Sequence, residues 1–270
     1  MSLRLLFLGT GTSAGVPMIG CHCDVCESDD PRDRRTRPSV AIEYDDGSAD
    51  APRRFIIDTT PDLRDQCIRH RIDRIDGVFY THAHADHILG IDDLRRFNAV
   101  QGTPIDLYAE RSVIESFRHM FPYIFDRASR SNESFIPNLI AAPIDPNAPR
   151  TFFGATWTPL RLMHGRLPIL GFRVDLAGRS IAYCTDVSSI PPQTYPLLED
   201  LDVLVLDALR YRHHPTHFTV DQALEQIGQI QPRRTYLTHI AHDISHADLD
   251  GRLPEGVQLG YDGLAVDATS

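Results

Sequence analysis

Residues 81–87 read Thr81-His82-Ala83-His84-Ala85-Asp86-His87 and directly follow the apolar run Gly77-Val78-Phe79-Tyr80. His82 and His84 alternate along an extended segment, so they point to the same side and can reach one metal ion. Asp86 and His87 then turn to supply ligands for a second ion. Four titratable groups behind a buried strand would be costly to leave unpaired. We therefore interpret this stretch as a metal site.

Other candidate ligands also follow short apolar runs that favour β-strands. Residues 161–163 lead to His164, residues 180–184 lead to Asp186, and residues 235–237 lead to His239. Side chains at the ends of buried strands can converge from distant parts of a chain on one rigid sheet. These strand ends therefore predict a shared site. Mixed imidazole and carboxylate ligands suit zinc, manganese or iron, and a pair of such ions serves attack at phosphorus or at a carbonyl.

The remaining pattern predicts helices alternating with strands. Helical periodicity appears over residues 61–70, 92–99, 111–121 and 219–230. The last helix is the clearest, because Thr219 and Gln222 fit a capping box and an apolar face recurs at helical spacing. Residues 39–44 and 54–57 are expected to be two strands of a hairpin.

Composition favours a soluble globular protein. The chain has 270 residues, is 42% hydrophobic and 24% charged, and carries a net charge of −10, which argues against a surface for nucleic acid. No apolar stretch reaches the length of a membrane span, and the first residues read as a strand and not as a signal peptide. Three of the five cysteines are clustered, which suits a reducing cytoplasm and a metal site better than disulfides. We expect a cytoplasmic protein.

These features together resemble the metallo-β-lactamase fold hydrolases. The resemblance is carried by Phe7-Leu8-Gly9-Thr10-Gly11-Thr12, by Asp58 after Phe55-Ile56-Ile57, by the signature at 81–87, and by His164, Asp186 and His239 in the expected order. It implies one α/β domain over residues 1–270, built as a four-layer αβ/βα sandwich of two mixed β-sheets flanked by helices. The metals are expected at one edge of the two sheets.

The same resemblance implies a ligand set for two divalent metals, which could be zinc, manganese or iron. His82, His84 and His164 would hold the first ion. The second would be held by Asp86, His87 and His239, with Asp186 bridging the two. Asp58 would orient a ligand from outside the coordination shell.

A second metal site is indicated by Cys21-His22-Cys23-Asp24-Val25-Cys26. Three thiolates at Cys21, Cys23 and Cys26 need one more ligand to complete a tetrahedral zinc site, and His242, three residues beyond His239, is the candidate. The alternative is a group of small buried residues, which the polar loop disfavours. The combination resembles the PhnP-type phosphodiesterases of the carbon–phosphorus lyase pathway, and it implies one structural zinc near residues 21–26.

The PhnP-type resemblance also implies a function. His217 matches an additional active-site histidine, although it could instead be a surface residue beside His213 and His214. The implied reaction is hydrolysis of a small cyclic or nucleotide-like phosphodiester by a hydroxide that bridges the two metals. Asp58, Asp86 and His217 would be the catalytic residues, and His217 would protonate the departing alkoxide. The partner would be a small molecule, and the family is compatible with a homodimer.

Other functions on the same fold stay open. A tRNA 3′-processing nuclease is disfavoured because we find no glycine-rich basic arm. A lactone or thioester hydrolase would use the same metals. A non-catalytic, PqqB-like binding or carrier protein would share the cysteine cluster, although the metal signature is degraded in that group and intact here. The arginines that could receive a second phosphate are Arg35, Arg37, Arg166, Arg210 and Arg212. The residues that we expect in the core are Cys67, Cys184 and Trp157.

Overall fold

Two seven-stranded β-sheets form the framework of the described chain. The computed structural model describes residues 1–47, 51–129 and 135–269. The strands of the first sheet are β1 (Leu3–Gly9), β2 (Ser39–Tyr44), β3 (Arg53–Ile57), β4 (Gly77–Phe79), β5 (Ile105–Ala109), β6 (Leu139–Pro143) and β14 (Ala265–Asp267). The strands of the second sheet are β7 (Arg150–Phe152), β8 (Ala155–His164), β9 (Leu167–Leu176), β10 (Arg179–Cys184), β11 (Val203–Asp207), β12 (Arg234–Thr238) and β13 (Val257–Leu259).

Strand order brings several strand ends to one edge of each sheet. The first sheet runs β14-β1-β2-β3-β4-β5-β6, with parallel pairing from β3 to β6. The second runs β13-β12-β11-β10-β9-β8-β7, with parallel pairing from β10 to β13. Parallel neighbours share one carboxyl-terminal edge, so the segments after β3 and β4 are adjacent, as are those after β10, β11 and β12.

Helices pack on the outer face of each sheet. They are α1 (Leu63–Arg69), α2 (Ala85–Ile88), α3 (Leu94–Gln101), α4 (Arg111–Met120), α5 (Pro122–Phe125), α6 (Val220–Ile230) and α7 (His246–Asp250). Short 3₁₀ turns occupy Pro31–Asp33, Leu89–Asp93, Arg127–Ser129 and Pro192–Leu198. None of the helices in the described part of the chain is both long and apolar enough to cross a membrane.

The alternation of side chains along β11 explains the layering. Val203 and Val205 point into the core between the two sheets, whereas Leu204 and Leu206 point into the core under α6 and α7. A third apolar core lies between the first sheet and helices α1, α3 and α4. Each fully buried Val or Leu contributes roughly 1.5–3 kcal/mol, so a strand that is apolar on both faces must be covered on both. The expected four-layer αβ/βα sandwich is confirmed.

The local predictions are largely confirmed. Thr219 caps α6, and its reciprocal hydrogen bonds with Gln222 form the predicted capping box. The predicted hairpin strands pair antiparallel as β2 and β3, while residues 48–50 of their connection lie outside the described residues. Helix α3 begins at Leu94 and not at residue 92, because residues 89–93 form a 3₁₀ turn.

The three residues that were expected in the core are buried. Trp157 is fully buried between the sheets and stacks on Phe79 with ring centroids 4.1 Å apart. Cys67 lies in the core between the first sheet and its helices, and Cys184 lies in the core between the second sheet and its helices. These side chains therefore serve packing.

Candidate metal centre

The backbone adopts a left-handed conformation at three predicted site residues. Asp58 follows β3 with φ 66°, Asp186 follows β10 with φ 59°, and His239 follows β12 with φ 62°. A residue other than glycine in this region costs about 1–3 kcal/mol and persists only where its surroundings fix it, most often at functional sites. The ends of these three strands are therefore shaped to present particular side chains at the sheet edge.

The first group of candidate ligands consists of His82, His84 and His164, with one ring nitrogen of each within 4.8 Å of the others. Hydrogen bonds set the tautomers. Nδ1 of His164 donates to the carbonyl of Thr216 at 2.8 Å, so its lone pair is on Nε2. The same is true of His82, whose Nδ1 donates to the hydroxyl of Thr81 at 2.9 Å. The Thr81 hydroxyl accepts this hydrogen bond because it donates its own proton to Asp58 Oδ2.

The second group consists of Asp86, His87, Asp186 and His239, again within 4.8 Å. Nε2 of His87 lies 3.4 Å from Asp86 Oδ2 and 3.3 Å from Asp186 Oδ2. The other oxygen of Asp186 lies 3.2 Å from His239 Nε2. A compact set of imidazoles and carboxylates is the donor set that zinc, manganese and iron accept. Both groups lie on the sheet edge, as the strand ends predicted.

Asp58 supports both groups from beneath. Its Oδ2 accepts hydrogen bonds from His87 Nδ1 at 2.7 Å and from the Thr81 hydroxyl at 2.8 Å, and its Oδ1 accepts from the Thr81 amide at 2.9 Å. Asp58 thus orients His87 directly and His82 through Thr81. Within the described chain, Nε2 of both histidines is buried without a hydrogen-bond partner. These unpartnered acceptors fit a bound cation.

The electrostatics favour positive charge at the second group. Burial opposes protonation of His87, yet the carboxylates of Asp186, Asp58 and Asp86 outweigh it and hold the pKa of His87 well above its usual range. Burial likewise opposes charge on His239, but Asp186 and Asp86 raise the pKa of that ring to about 9. A site where carboxylates outweigh desolvation is one in which a divalent cation is stabilised.

A histidine–aspartate pair lies beside both groups. Nδ1 of His217 donates to Oδ2 of Asp207 at 2.8 Å, and the amide of Val187 donates to the same oxygen at 2.8 Å. The ring of His217 lies 4.6 Å from the rings of both His164 and His239. His217 is buried, so the surface alternative is wrong. Sequence reasoning did not select Asp207. Asp207 is the last residue of β11, a position that resembles those of the candidate ligands at the ends of other strands.

The cysteine cluster and His242 also come together. Sγ of Cys21 and Sγ of Cys23 each lie 3.3 Å from Nδ1 of His242, and all four candidate ligand atoms, including Cys26 Sγ, fall within 4.8 Å. A tetrahedral zinc would separate such atoms by roughly 3.5 Å. A hydrogen bond from the backbone of Cys26, followed by one from His242, lowers the pKa of Cys23 to about 6, which favours the thiolate that zinc requires.

Arg35 does not face the candidate site, so its prediction as a substrate-binding arginine is wrong. Its guanidinium is buried and donates to the Thr10 hydroxyl at 2.9 Å, the Gly260 carbonyl at 2.6 Å and His246 Nδ1 at 3.1 Å. A buried guanidinium needs such acceptors, because a charge taken out of water is costly when it is left unpaired. Arg35 therefore ties the amino-terminal loop to the carboxyl-terminal segments.

Three further arginines that were proposed for phosphate are engaged elsewhere. Arg37 pairs with Asp62 at 3.0 Å, and Arg212 pairs with Asp243 at 3.0 Å. Arg210 donates to backbone carbonyls of its own loop at 3.2 and 3.1 Å. These contacts account for their positions without a substrate.

Comparison with known proteins agrees with this geometry. Residues 53–240 match the family model described as the beta-lactamase superfamily domain, which covers well over half of the chain. The chain belongs to the β-lactamase superfamily. This superfamily member is 41% identical to a protein of known structure described as a new diphosphatase from the PhnP family, with a TM-score of 0.88 over 99% of this chain and 97% of that one. It is therefore a metallo-β-lactamase fold hydrolase that resembles the PhnP family.

Two curated relatives match over part of their length. An octanoyltransferase of Porphyromonas gingivalis is 39% identical over 97% of this chain and 51% of that protein. A coenzyme PQQ synthesis protein B of Rhodopseudomonas palustris is 33% identical over 54% of this chain and 47% of that protein. The β-lactamase superfamily chain thus spans about half the length of these curated relatives.

Proposed function

We propose that the protein is a metal-dependent phosphodiesterase that cleaves a small cyclic or nucleotide-like phosphodiester. The observation that supports it best is that two ligand groups meet at Asp186, with His217 beside both. His82, His84 and His164 would hold one cation and Asp86, His87 and His239 the other, with Asp186 between them. Zinc, manganese and iron all suit these donors. The likeness to a PhnP-family diphosphatase supports phosphorus as the point of attack.

The residues of the chain have separate tasks in this proposal. Two divalent cations would supply Lewis-acid chemistry, which activates the attacking water and stabilises charge on the phosphoryl oxygens. Asp58 keeps Nδ1 of His87 protonated and Nε2 free, which is the arrangement that a ligand needs. The buried strand ends hold both groups in place, so little reorganisation is required during the reaction.

His217 is proposed as the group that protonates the leaving alkoxide. Asp207 accepts the Nδ1 proton of His217 and so fixes the ring with Nε2 turned toward the candidate site. A positioned general acid contributes about 10²–10⁴ in rate. Asp207 is a positioning residue in this scheme, because it acts through His217.

A structural zinc held by Cys21, Cys23, Cys26 and His242 completes the proposal. His242 lies three residues beyond His239, and the amide of Ile240 donates to the Thr10 carbonyl at 2.9 Å. The zinc would therefore fix the amino-terminal loop against the segment that carries His239. Its role is to hold the site and not to take part in the reaction.

Metal content and hydrolysis of bis(p-nitrophenyl) phosphate test the proposal together. We expect about three metals per chain and turnover with zinc or manganese. The His217→Ala variant should keep its metals and lose about 10²–10⁴ in kcat. Loss of metal in that variant would contradict the assignment of His217.

Three other results would favour the competing functions. A full set of metals without turnover on any phosphodiester or ester would indicate a binding or carrier protein. Faster cleavage of a tRNA precursor than of small phosphodiesters would indicate a nuclease. Hydrolysis of a lactone or thioester alone would place the attack at carbon and not at phosphorus.

A further inference from the structure

Residues 17–28 form a loop, which we call the cysteine loop, that reaches the carboxyl-terminal half of the chain through the candidate structural zinc ligands. Sγ of Cys21 and Sγ of Cys23 each lie 3.3 Å from His242 Nδ1, and Cys23 Sγ lies 3.7 Å from the His242 carbonyl. Within the described residues, every hydrogen bond that the cysteine loop makes outside residues 16–36 ends on His242. The polar attachment of the loop therefore depends on these ligands.

Cys23 and Cys26 lie on one face of a turn in the cysteine loop. The amide of Glu27 donates to the Cys23 carbonyl at 3.0 Å, which closes a helix-like turn. Side chains three positions apart on such a turn are neighbours. Their Sγ atoms belong to the group whose ligand atoms all lie within 4.8 Å of one another. Two cysteines placed in this way can form a disulfide through a shift of one turn, without movement of the sheets.

Solvent reaches the cysteine loop but hardly reaches the thiols elsewhere in the chain. Cys21 and Cys23 are partly exposed, and Cys26 is 8% exposed. Cys67 and Cys184 lie in apolar cores and are 6% and 0% exposed. Oxidation of cysteine follows thiolate character and exposure, and a second thiol beside the oxidised sulfur converts it to a disulfide. Cys23 is therefore the accessible sulfur, and Cys26 is its resolving partner.

The segment that carries His239 has attachments of its own. The amide of Ile240 donates to the Thr10 carbonyl at 2.9 Å, and the amide of Thr12 donates to the Ile240 carbonyl at 3.1 Å. Neither hydrogen bond involves the cysteine loop. Loss of the structural zinc should therefore free the loop while His239 stays in place.

We propose that Cys23 and Cys26 form a peroxide-sensitive thiol pair, whose oxidation to a disulfide expels the structural zinc and frees the cysteine loop. The inference rests on the zinc ligands of the proposed function, and it adds a modification site outside the catalytic centre. Once Cys23 and Cys26 are joined, only Cys21 and His242 remain as ligands. Two ligands are too few for a closed tetrahedral zinc site, so the ion leaves.

The reaction balances with hydrogen peroxide as the oxidant. The Cys23 thiolate attacks one peroxide oxygen, the O–O bond breaks, and a sulfenic acid and a hydroxide form. The Cys26 thiolate then attacks the sulfenic sulfur, the S–S bond forms, and a second hydroxide leaves. Two protons from solvent convert both hydroxides to water. The two thiolates lose the two electrons that the peroxide gains, and zinc departs as Zn²⁺ with its oxidation state unchanged.

Peroxide treatment of the zinc-loaded protein tests the inference without requiring turnover. After desalting, metal analysis should show zinc falling from about three to about two ions per chain, because only the thiolate site is oxidised. Alkylation followed by peptide mass spectrometry should show a disulfide between Cys23 and Cys26, with Cys21, Cys67 and Cys184 alkylated. Reduction with dithiothreitol in the presence of zinc should restore the third ion.

Three variants separate the thiol pair from other sources of zinc. Cys23→Ser, which should lack the structural zinc, should hold about two zinc ions both before and after peroxide. Cys26→Ser lacks the resolving thiol, so dimedone should label the sulfenic acid on Cys23, which the wild-type protein converts to the disulfide. Cys67→Ala removes a thiol outside the cysteine loop and should lose zinc as the wild-type protein does.

Retention of all zinc with every cysteine still reduced would overturn the inference. So would zinc loss without the disulfide between Cys23 and Cys26, since the two thiols would then not act as a pair. Equal zinc loss from Cys23→Ser would place its source at the catalytic ligands and would also overturn it. Failure of the proposed function is a separate result, seen as absence of phosphodiester hydrolysis or as absence of the structural zinc before peroxide is added. In that second case the peptide map still decides whether the thiol pair forms.

Discussion

Replacing Asp58 with asparagine is expected to weaken metal binding, although Asp58 belongs to neither ligand group. Asp58 is completely buried and accepts three hydrogen bonds, from the Thr81 amide, the Thr81 hydroxyl and His87 Nδ1. An asparagine has one accepting oxygen and one donating amino group in the same volume. When its oxygen faces the Thr81 amide, its amino group opposes the donor on His87.

The magnitude follows from what His87 must do in that variant. To accept from the new amide, His87 has to move its proton from Nδ1 to Nε2, which removes the lone pair that faces Asp86 and Asp186. Loss of such an orienting partner typically costs 10–100-fold in metal affinity, or about 1.4–2.7 kcal/mol. His82 should be affected less, because the Thr81 hydroxyl can rotate to accept from the amide. The second ligand group should therefore lose more affinity than the first.

Competition with a chromogenic chelator during stepwise loading of the metal-free protein measures both affinities. Asp202→Asn is a matched control, because Asp202 is also buried and accepts from a backbone amide, at 3.0 Å, but lies at the opposite end of β11. It should leave metal binding unchanged. Two sites with wild-type affinity in Asp58→Asn would refute the argument that Asp58 fixes the histidine tautomers.

Three other substitutions test separate parts of the structure. Asp207→Ala should lower kcat about 100-fold with metal content unchanged, and wild-type turnover would show that His217 needs no positioning. Cys23→Ser should remove one metal per chain and about 2–4 kcal/mol of stability, as does the loss of a cross-link between distant segments. Metal analysis and urea unfolding measure the two effects. An unchanged metal count would contradict the zinc site. Burial, followed by Arg35, lowers the pKa of His246 to about 4. Between about pH 6.5 and pH 4 the unfolded chain therefore binds more protons than the folded chain, and the free energy of unfolding falls as pH falls. His246→Gln should reduce the loss of unfolding free energy between pH 7 and pH 5 by up to about 2 kcal/mol, and identical pH slopes would refute this.

The positions of the candidate ligands could be predicted because they depend on local order. A short apolar run marks a buried strand, and the residue that follows it must lie at the sheet edge. This rule predicts one shared region for the ligands that follow their strands, which are His82, His164, Asp186 and His239, and the structure brings them to the same sheet edge. It applies equally to Asp207, which ends the run Val203-Leu204-Val205-Leu206. Asp207 was missed because no motif drew attention to it.

Other features depend on contacts that no local pattern reveals. Arg35 looked like a loop arginine, yet its partners Gly260 and His246 are more than 200 positions away in the chain. The distinction between a buried tie and a substrate contact rests on those distant acceptors. The sequence proposed Arg166 together with Arg35, and only the structure separates them, since Arg166 is exposed and forms no ion pair with the described residues.

The left-handed residues suggest that the site is formed before metal binds. At Asp58 and His239 the backbone conformation alone would favour glycine, since the left-handed region costs another residue about 1–3 kcal/mol. Backbone hydrogen bonds hold both turns, from the Asp58 amide to the Phe79 carbonyl at 2.9 Å and from the Ile240 amide to the Thr10 carbonyl at 2.9 Å. The partners of these bonds belong to the first sheet and the loop that follows β1, and not to the ligands. Because the cost is offset by the sheet framework, removal of the metals should leave the geometry of the strand ends intact.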